Sequence, residues 1–149
     1  MLFAHATDRH HFLLSPPAGE TPAGKRAVVA ADPDAFRQIL TNLVDNAIKY
    51  SPAGGNVEVR WKVVGGAVRL DVSDEGLGID EADQARVFER FERVAHPETR
   101  NVRSTGLGLY LVKQMVIRMD GEVSVRSEVG RGSTFSFTLP LADAQEAAA

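Results

Sequence analysis

Cysteine is absent from all 149 residues of the chain. Disulfides and thiolate metal sites are therefore excluded, a composition that suits a reducing compartment. Long apolar runs are missing too, since none approaches the roughly 20 residues that a membrane span requires. The N-terminal Met1-Leu-Phe-Ala-His-Ala6 lacks a basic segment followed by a long apolar core, so it is not read as a secretory signal. An excess of positive charge is also lacking. Seventeen Lys and Arg against twenty Asp and Glu leave a formal charge of −3, with no general pull toward nucleic acid or an anionic membrane. No internal repeat is visible.

What is present is ordinary globular material: 44% hydrophobic and 25% charged residues, in a length that suits one domain with a proper core rather than two. A cytoplasmic location is the expectation.

Phe12-Leu13-Leu14 suggests a short strand and Arg26–Ala30 a second, separated by a Pro- and Gly-rich loop over Ser15–Lys25. Asp32-Pro33 announces a helix, with a carboxylate at the N-cap and proline where its missing N–H costs nothing. Phe36, Ile39, Leu40, Leu43, Val44, Ala47 and Ile48 then recur at helical spacing and form a wide apolar stripe. Val57, Val59, Trp61 and Val63 alternate with polar residues, Gly65-Gly66 turns the chain, and Val68, Leu70 and Val72 alternate back as a hairpin. Asp80 is placed as the cap of a short helix carrying Ala85, Val87 and Phe88. Residues 92–105 read as a long exposed loop. A second long helix is expected from about Gly106 to Met119, closed by Asp120-Gly121 with the glycine as left-handed cap. Strands over Glu122–Glu128 and Ser133–Leu139 flank Gly130-Arg-Gly132, and the tail from Ala142 is expected to fray. The order predicts an α+β fold, a two-layer sandwich with helices on one face of a mixed sheet.

Four clusters suggest chemistry. Asp74-Glu-Gly76-Leu-Gly78-Ile79 ends a strand, where a carboxylate can accept from an exocyclic amine and glycines let a flat ligand approach the backbone. Alone, such a stretch is more often a plain turn. Asn42, Asn46 and Lys49 share one side of the first helix, at the border of the apolar stripe. A polar helix edge explains them, but so does a row of amide oxygens and an ammonium aimed at a metal-bound phosphate. An amide oxygen is a hard, neutral ligand suited to Mg²⁺. Gly106-Leu107-Gly108 opens a helix after a polar loop and would present backbone N–H groups to an anion; two glycines there cost ~1 kcal/mol each if merely helical. It is neither a Walker A motif nor a dinucleotide fingerprint. The loop before it carries Arg93, Arg100 and Arg103 with Ser104 and Thr105, either a solvated loop or a cationic lid over a triphosphate. His5, His10, His11 and His96 have no metal-ligand spacing and are read as incidental.

Taken together, these blocks resemble the ATP-binding catalytic domain of bacterial sensor histidine kinases, in the wider group that includes gyrase, Hsp90 and MutL. The N box is Asn42-Leu-Val-Asp-Asn46-Ala-Ile-Lys49-Tyr50, and the first glycine box is Asp74-Glu-Gly76-Leu-Gly78-Ile. Val87-Phe88-Glu-Arg-Phe91-Glu-Arg93 forms the F box, and Thr105-Gly106-Leu107-Gly108-Leu the second glycine box. Gly130-Arg-Gly132-Ser-Thr134-Phe135 closes the series, so the match covers about residues 26–140 of a single domain over 1–149. The resemblance implies a Bergerat-type fold that binds ATP and Mg²⁺. Asn46 would ligate the metal with Asn42 in support, and Lys49 and Tyr50 would line the phosphate channel. Asp74, with Gly76 and Gly78, would take the adenine. Arg93 would reach toward the γ-phosphate, Thr105 to Gly108 would hold the phosphates, and Thr134 would join the nucleotide site.

Two departures stand out. The family's phosphoacceptor block is absent, and the dimerising helical hairpin that carries it does not fit before residue 26. The chain therefore resembles a catalytic half without its acceptor, expected as a monomer. Ser104 also replaces the glycine usual before the second box, which implies a stiffer lid hinge.

The pattern favours transfer of the γ-phosphate of Mg-ATP to a histidine on a separate dimerisation domain, with a response regulator as the indirect partner, and without nucleic acid or direct membrane contact. Competing readings are a hydrolysing ATPase like gyrase, a standalone serine kinase that binds a sigma factor, and a nucleotide sensor without transfer. The hydrolysing relatives carry a glutamate where this chain has Asn42, and an amide cannot take the proton of an attacking water. Lys49-Tyr50 and the Phe88-Glu-Arg-Phe91 block fit the histidine-kinase pattern better than the serine-kinase one.

Overall fold

A computed structural model of the chain describes residues 10–15, 29, 31–89 and 108–142. In chain order the elements are β1 (His10–Ser15), α1 (Pro33–Lys49), β2 (Gly55–Val64), β3 (Ala67–Asp74), α2 (Glu81–Gln84), α3 (Gly108–Arg118), β4 (Glu122–Glu128) and β5 (Gly132–Pro140). The sheet runs β1-β2-β3-β5-β4. β1 pairs parallel with β2 and every other neighbour is antiparallel, so the sheet is mixed as expected.

Strict alternation sorts the two faces. Register sets Trp61 opposite Leu70, Leu70 opposite Phe137, and Phe137 opposite Val123. This apolar row, with Val57, Val72, Phe135 and Leu139, packs against Ile39, Leu43, Val44 and Ala47 of α1 and Val112 and Val116 of α3. Each such side chain contributes about 1.5–3 kcal/mol when fully buried, and Phe36 adds an edge-on ring contact with Phe137 at 6.1 Å. The other face is polar. There Arg69 pairs with Asp71 at 2.9 Å and Ser73 bonds Thr134 at 2.8 Å. Both helices thus cover one side, the two-layer α+β arrangement read from the pattern.

The first helix starts as its sequence dictates. Asp32 Oδ1 accepts the Asp34 N–H at 3.0 Å, and Pro33 occupies the first turn. One expectation is only partly described, and two need correction. The expected strand over 26–30 shows only an isolated bridge from Val29 to Leu141; its other residues lie outside the described residues. The short helix ends at Gln84, so Ala85 is its C-cap and Val87 and Phe88 follow in a turn. They still anchor it, since Val87 is buried and Phe88 meets Phe135 edge-on at 6.1 Å. Asp80 sits at the N-cap without a side-chain cap bond.

The second correction concerns the end of α3. The left-handed residue is Asp120 (φ 60°), not Gly121. The Gly121 N–H bonds Val116 O at 2.9 Å and the Asp120 N–H bonds Ile117 O at 3.0 Å, the paired pattern of a Schellman end. Gly121 is needed for a different reason: a Cβ there would overlap the Thr138 carbonyl of β5. Asp tolerates the left-handed region better than most side chains, which lets the glycine serve the close approach instead.

Candidate functional site

Asp74 is the last residue of β3, and alternation turns it toward the helix-covered side, opposite Val57 of β2. It is 8% exposed. Its Oδ1 accepts two backbone N–H groups, from Gly76 at 2.9 Å and Ser133 at 3.3 Å. Burial pushes the carboxyl up to about 6, against the opposing pull of those two donors. Among the described residues nothing donates to Oδ2. A ligand amine could donate to that oxygen.

The glycines around Asp74 have a structural task in the fold. A Cβ on Gly76 would overlap the Tyr50 carbonyl, one on Gly78 the Glu128 carbonyl, and one on Gly132 the Asp74 carbonyl. Gly78 and Gly132 also have positive φ, at 74° and 106°. Each glycine therefore lets the protein's own backbone close around the loop after β3. That loop is stitched at both sides, with Leu77 N–H donating to Tyr50 O at 3.0 Å and Gly130 N–H to Leu77 O at 2.9 Å. The end of α1, the loop after β3 and the β4–β5 turn meet at one place.

The row on α1 leads into this junction. Asn42 is half-buried and doubly engaged: Oδ1 accepts from Gln38 at 2.9 Å, and Nδ2 donates to the Gly108 carbonyl at 3.4 Å. The row thereby touches the first residue of α3, the end of the second glycine box. Asn46, one turn on, is half-buried, and its side chain makes no hydrogen bond among the described residues. Lys49 is exposed and Tyr50 half-buried at the C-cap. Among the described residues no group of three His, Cys, Asp or Glu could hold a metal ion. A cation bound here would take the Asn46 amide oxygen and draw its remaining ligands from phosphate and water, the usual habit of Mg²⁺. The residues present fit that group.

Thr134 is not brought to Asp74. It pairs with Ser73, and its hydroxyl bonds Ser73 on the polar outer face, away from Asp74. Its neighbour Ser133 is the residue that faces the carboxylate. The signal was in the sequence, because Phe135 and Phe137 mark the core side and two-residue periodicity puts Ser133 with them. Ser127 and Gln84 carry no motif signal in the sequence, yet both bond to the loop after β3. Arg93, Thr105, Gly106 and Leu107 lie outside the described residues.

Residues 31–143 match the family model described as histidine kinase-, DNA gyrase B- and HSP90-like ATPase. The sensor histidine kinase WalK of Bacillus subtilis is 42% identical over 120 residues, covering 79% of this chain and 20% of that protein. The sensor-like histidine kinase SenX3 of Mycolicibacterium smegmatis is 40% identical over 121 residues, or 81% and 31% of the two chains. This chain thus spans a fifth to a third of the length of these curated relatives. Among solved structures, the mycobacterial sensor histidine kinase MprB superposes with a TM-score of 0.75 at 32% identity, covering 89% of this chain and 84% of that one. Full-length ShkA in complex with AMPPNP gives 0.73 at 30% identity, covering 89% and 26%. With the N box, the buried aspartate and the glycine-closed loop in their places, the chain belongs to the histidine kinase-, DNA gyrase B- and HSP90-like ATPase family, as an ATP-binding catalytic domain of the sensor histidine kinase type.

Proposed function

We propose that this domain binds Mg-ATP and donates the γ-phosphate to a histidine carried by a separate dimerisation domain, from which a response regulator would receive it. The observation that carries transfer over hydrolysis is the state of Asn42. Its amide is held between Gln38 and the Gly108 carbonyl, so position 42 offers no proton acceptor to an attacking water. What remains is positioning and charge stabilisation, which is most of what phosphoryl transfer asks of a protein.

Asp74 would receive the base amine, and Asn46 would hold the metal beside the phosphates. Lys49 and Tyr50 would line the phosphate channel at the end of α1, with Arg93 reaching toward the γ-phosphate. The second glycine box, from Thr105 to Gly108, would face the phosphates with its N–H groups. The reading places the domain in the cytoplasm, where ATP is supplied, as part of a parent kinase.

Incubation with γ-labelled ATP and a separate histidine-bearing hairpin from the parent kinase tests this directly. Label should appear on the hairpin as an acid-labile, base-stable phosphoramidate, and the domain alone should turn ATP over very slowly. Rapid hydrolysis by the isolated chain, or an acid-stable phosphoserine on a partner, would overturn it.

A further inference from the structure

Among the described polar side chains that the proposed function does not use, Ser127 and Gln84 are bonded to the loop after β3. Ser127 near the end of β4 has one hydroxyl proton and two lone pairs, and three neighbours engage it. The Ile79 N–H donates to Oγ at 2.7 Å, the Gly132 carbonyl lies at 2.9 Å and the Ser133 hydroxyl at 2.7 Å. A carbonyl can only accept, so the Ser127 proton goes to Gly132, and the Ser133 hydroxyl must donate to Ser127. The hydroxyl is then fully satisfied in a single arrangement.

Gln84, the last residue of α2, seats this group. Its Nε2 lies 2.8 Å from Ile79 O and 2.9 Å from Ser127 O. Both partners are carbonyls, so the amide nitrogen faces them and both its protons are used. The loop after β3 is thereby tied at Ile79 to β4, and β4 is tied at Ser127 to Gly132 and Ser133. Ser133 in turn gives its backbone N–H to Asp74 Oδ1.

We propose that Ser127, seated by Gln84, is a positioning residue for nucleobase selection: it fixes the loop exit and the Ser133 strand on either side of Asp74, so that Oδ2 is aimed at the exocyclic amine. This rests on the nucleotide reading above and adds to it a determinant of base specificity that never touches the base. Loss of a single bonded hydroxyl should relax the aim without emptying the phosphate site.

The test compares ATP with purine riboside triphosphate, which lacks the exocyclic amine, by competition against a fluorescent nucleotide on the full chain. Ser127→Ala should cut the preference for ATP by about fivefold, Ser127→Thr should retain it, and Gln84→Leu should behave like Ser127→Ala. An unchanged preference in Ser127→Ala, whether overall affinity falls or not, would overturn the proposal. Hydrogen exchange at the Ile79 amide, measured without nucleotide, separates this from the nucleotide reading. Ser127→Ala should speed that amide selectively, and exchange no faster than in the parent chain would also overturn it. Failure of the unaltered chain to prefer ATP, with Ile79 exchange still responding, would instead count against the nucleotide reading.

Discussion

The backbone N–H of Ser133 reaches Asp74 Oδ1 at 3.3 Å across the β3–β5 pair, so the carboxylate proposed to receive the base is held by the strand beside it as well as by its own loop. That grip is a partial offset. Burial dominates and raises the Asp74 carboxyl from 3.8 to about 6, which gives nucleotide binding a pH dependence with a defined sign.

Because the folded-state value is raised, the folded domain holds its proton more tightly than the unfolded chain between about 4 and 6. The group's contribution therefore favours folding at low pH and is lost as pH rises through 6. Adenine binding needs the ionised form as an acceptor and runs the other way. ATP affinity should fall as pH drops below about 6, and Asp74→Asn should flatten that limb of the profile. The same substitution should raise the melting temperature of the nucleotide-free domain at pH 7.5. A titration with an unaltered limb in Asp74→Asn would remove Asp74 from base recognition.

Asn46→Ala should separate metal binding from base binding. The side chain makes no hydrogen bond among the described residues, so the fold does not depend on it and the melting temperature should barely move. Affinity for Mg-ATP should drop by about tenfold or more, the cost of a lost metal ligand or charge-assisted contact. Affinity for metal-free adenosine should stay close to that of the parent chain. Calorimetry showing equal losses for the two ligands would take Asn46 out of the metal site.

Much of the molecule is legible in its sequence. Apolar periodicity placed α1, and alternation placed the β2–β3 and β4–β5 hairpins and the side on which helices lie. What stayed hidden was contact between distant backbones. Gly76 and Gly78 look in sequence like a ligand approach, and only the fold reveals the carbonyls of Tyr50 and Glu128 where their Cβ atoms would be, as it does the Asp74 carbonyl beside Gly132. Asn42 could be assigned to a helix flank, but its bond to Gly108, 66 residues away, could not be foreseen. Thr134 is a different kind of miss. Motif position suggested the site, and the simpler rule of two-residue alternation would have chosen Ser133.

That miss gives a sharp prediction. Thr134→Val removes the 2.8 Å bond to Ser73 on the outer face, worth about 1 kcal/mol at most in a half-exposed position. A β-branched replacement suits the strand, so the melting temperature should shift only a little. Nucleotide affinity and the preference for ATP over GTP should match those of the parent chain. A selective loss of ATP binding would return Thr134 to the site.

The end of α3 offers a stability test that should leave nucleotide binding alone. Asp120 occupies the left-handed region at φ 60°, where a non-glycine residue costs about 1 kcal/mol relative to glycine. Asp120→Gly should relieve that strain, partly offset by the added freedom of the unfolded chain. The net gain is expected to be a few tenths of a kcal/mol and a rise of about 1–3 °C in melting temperature. Gly121→Ala should do the opposite. Its Cβ would overlap the Thr138 carbonyl and lie 2.9 Å from Val116 Cγ1, both packed in place, so helix and strand would have to separate. A loss of about 2 kcal/mol or more is expected from such overpacking against backbone. Sequence convention assigns the two residues the reverse roles, with the glycine as the tolerant left-handed cap. Thermal melts showing Gly121→Ala to be harmless and Asp120→Gly destabilising would restore the conventional assignment and refute the geometry described for this helix end.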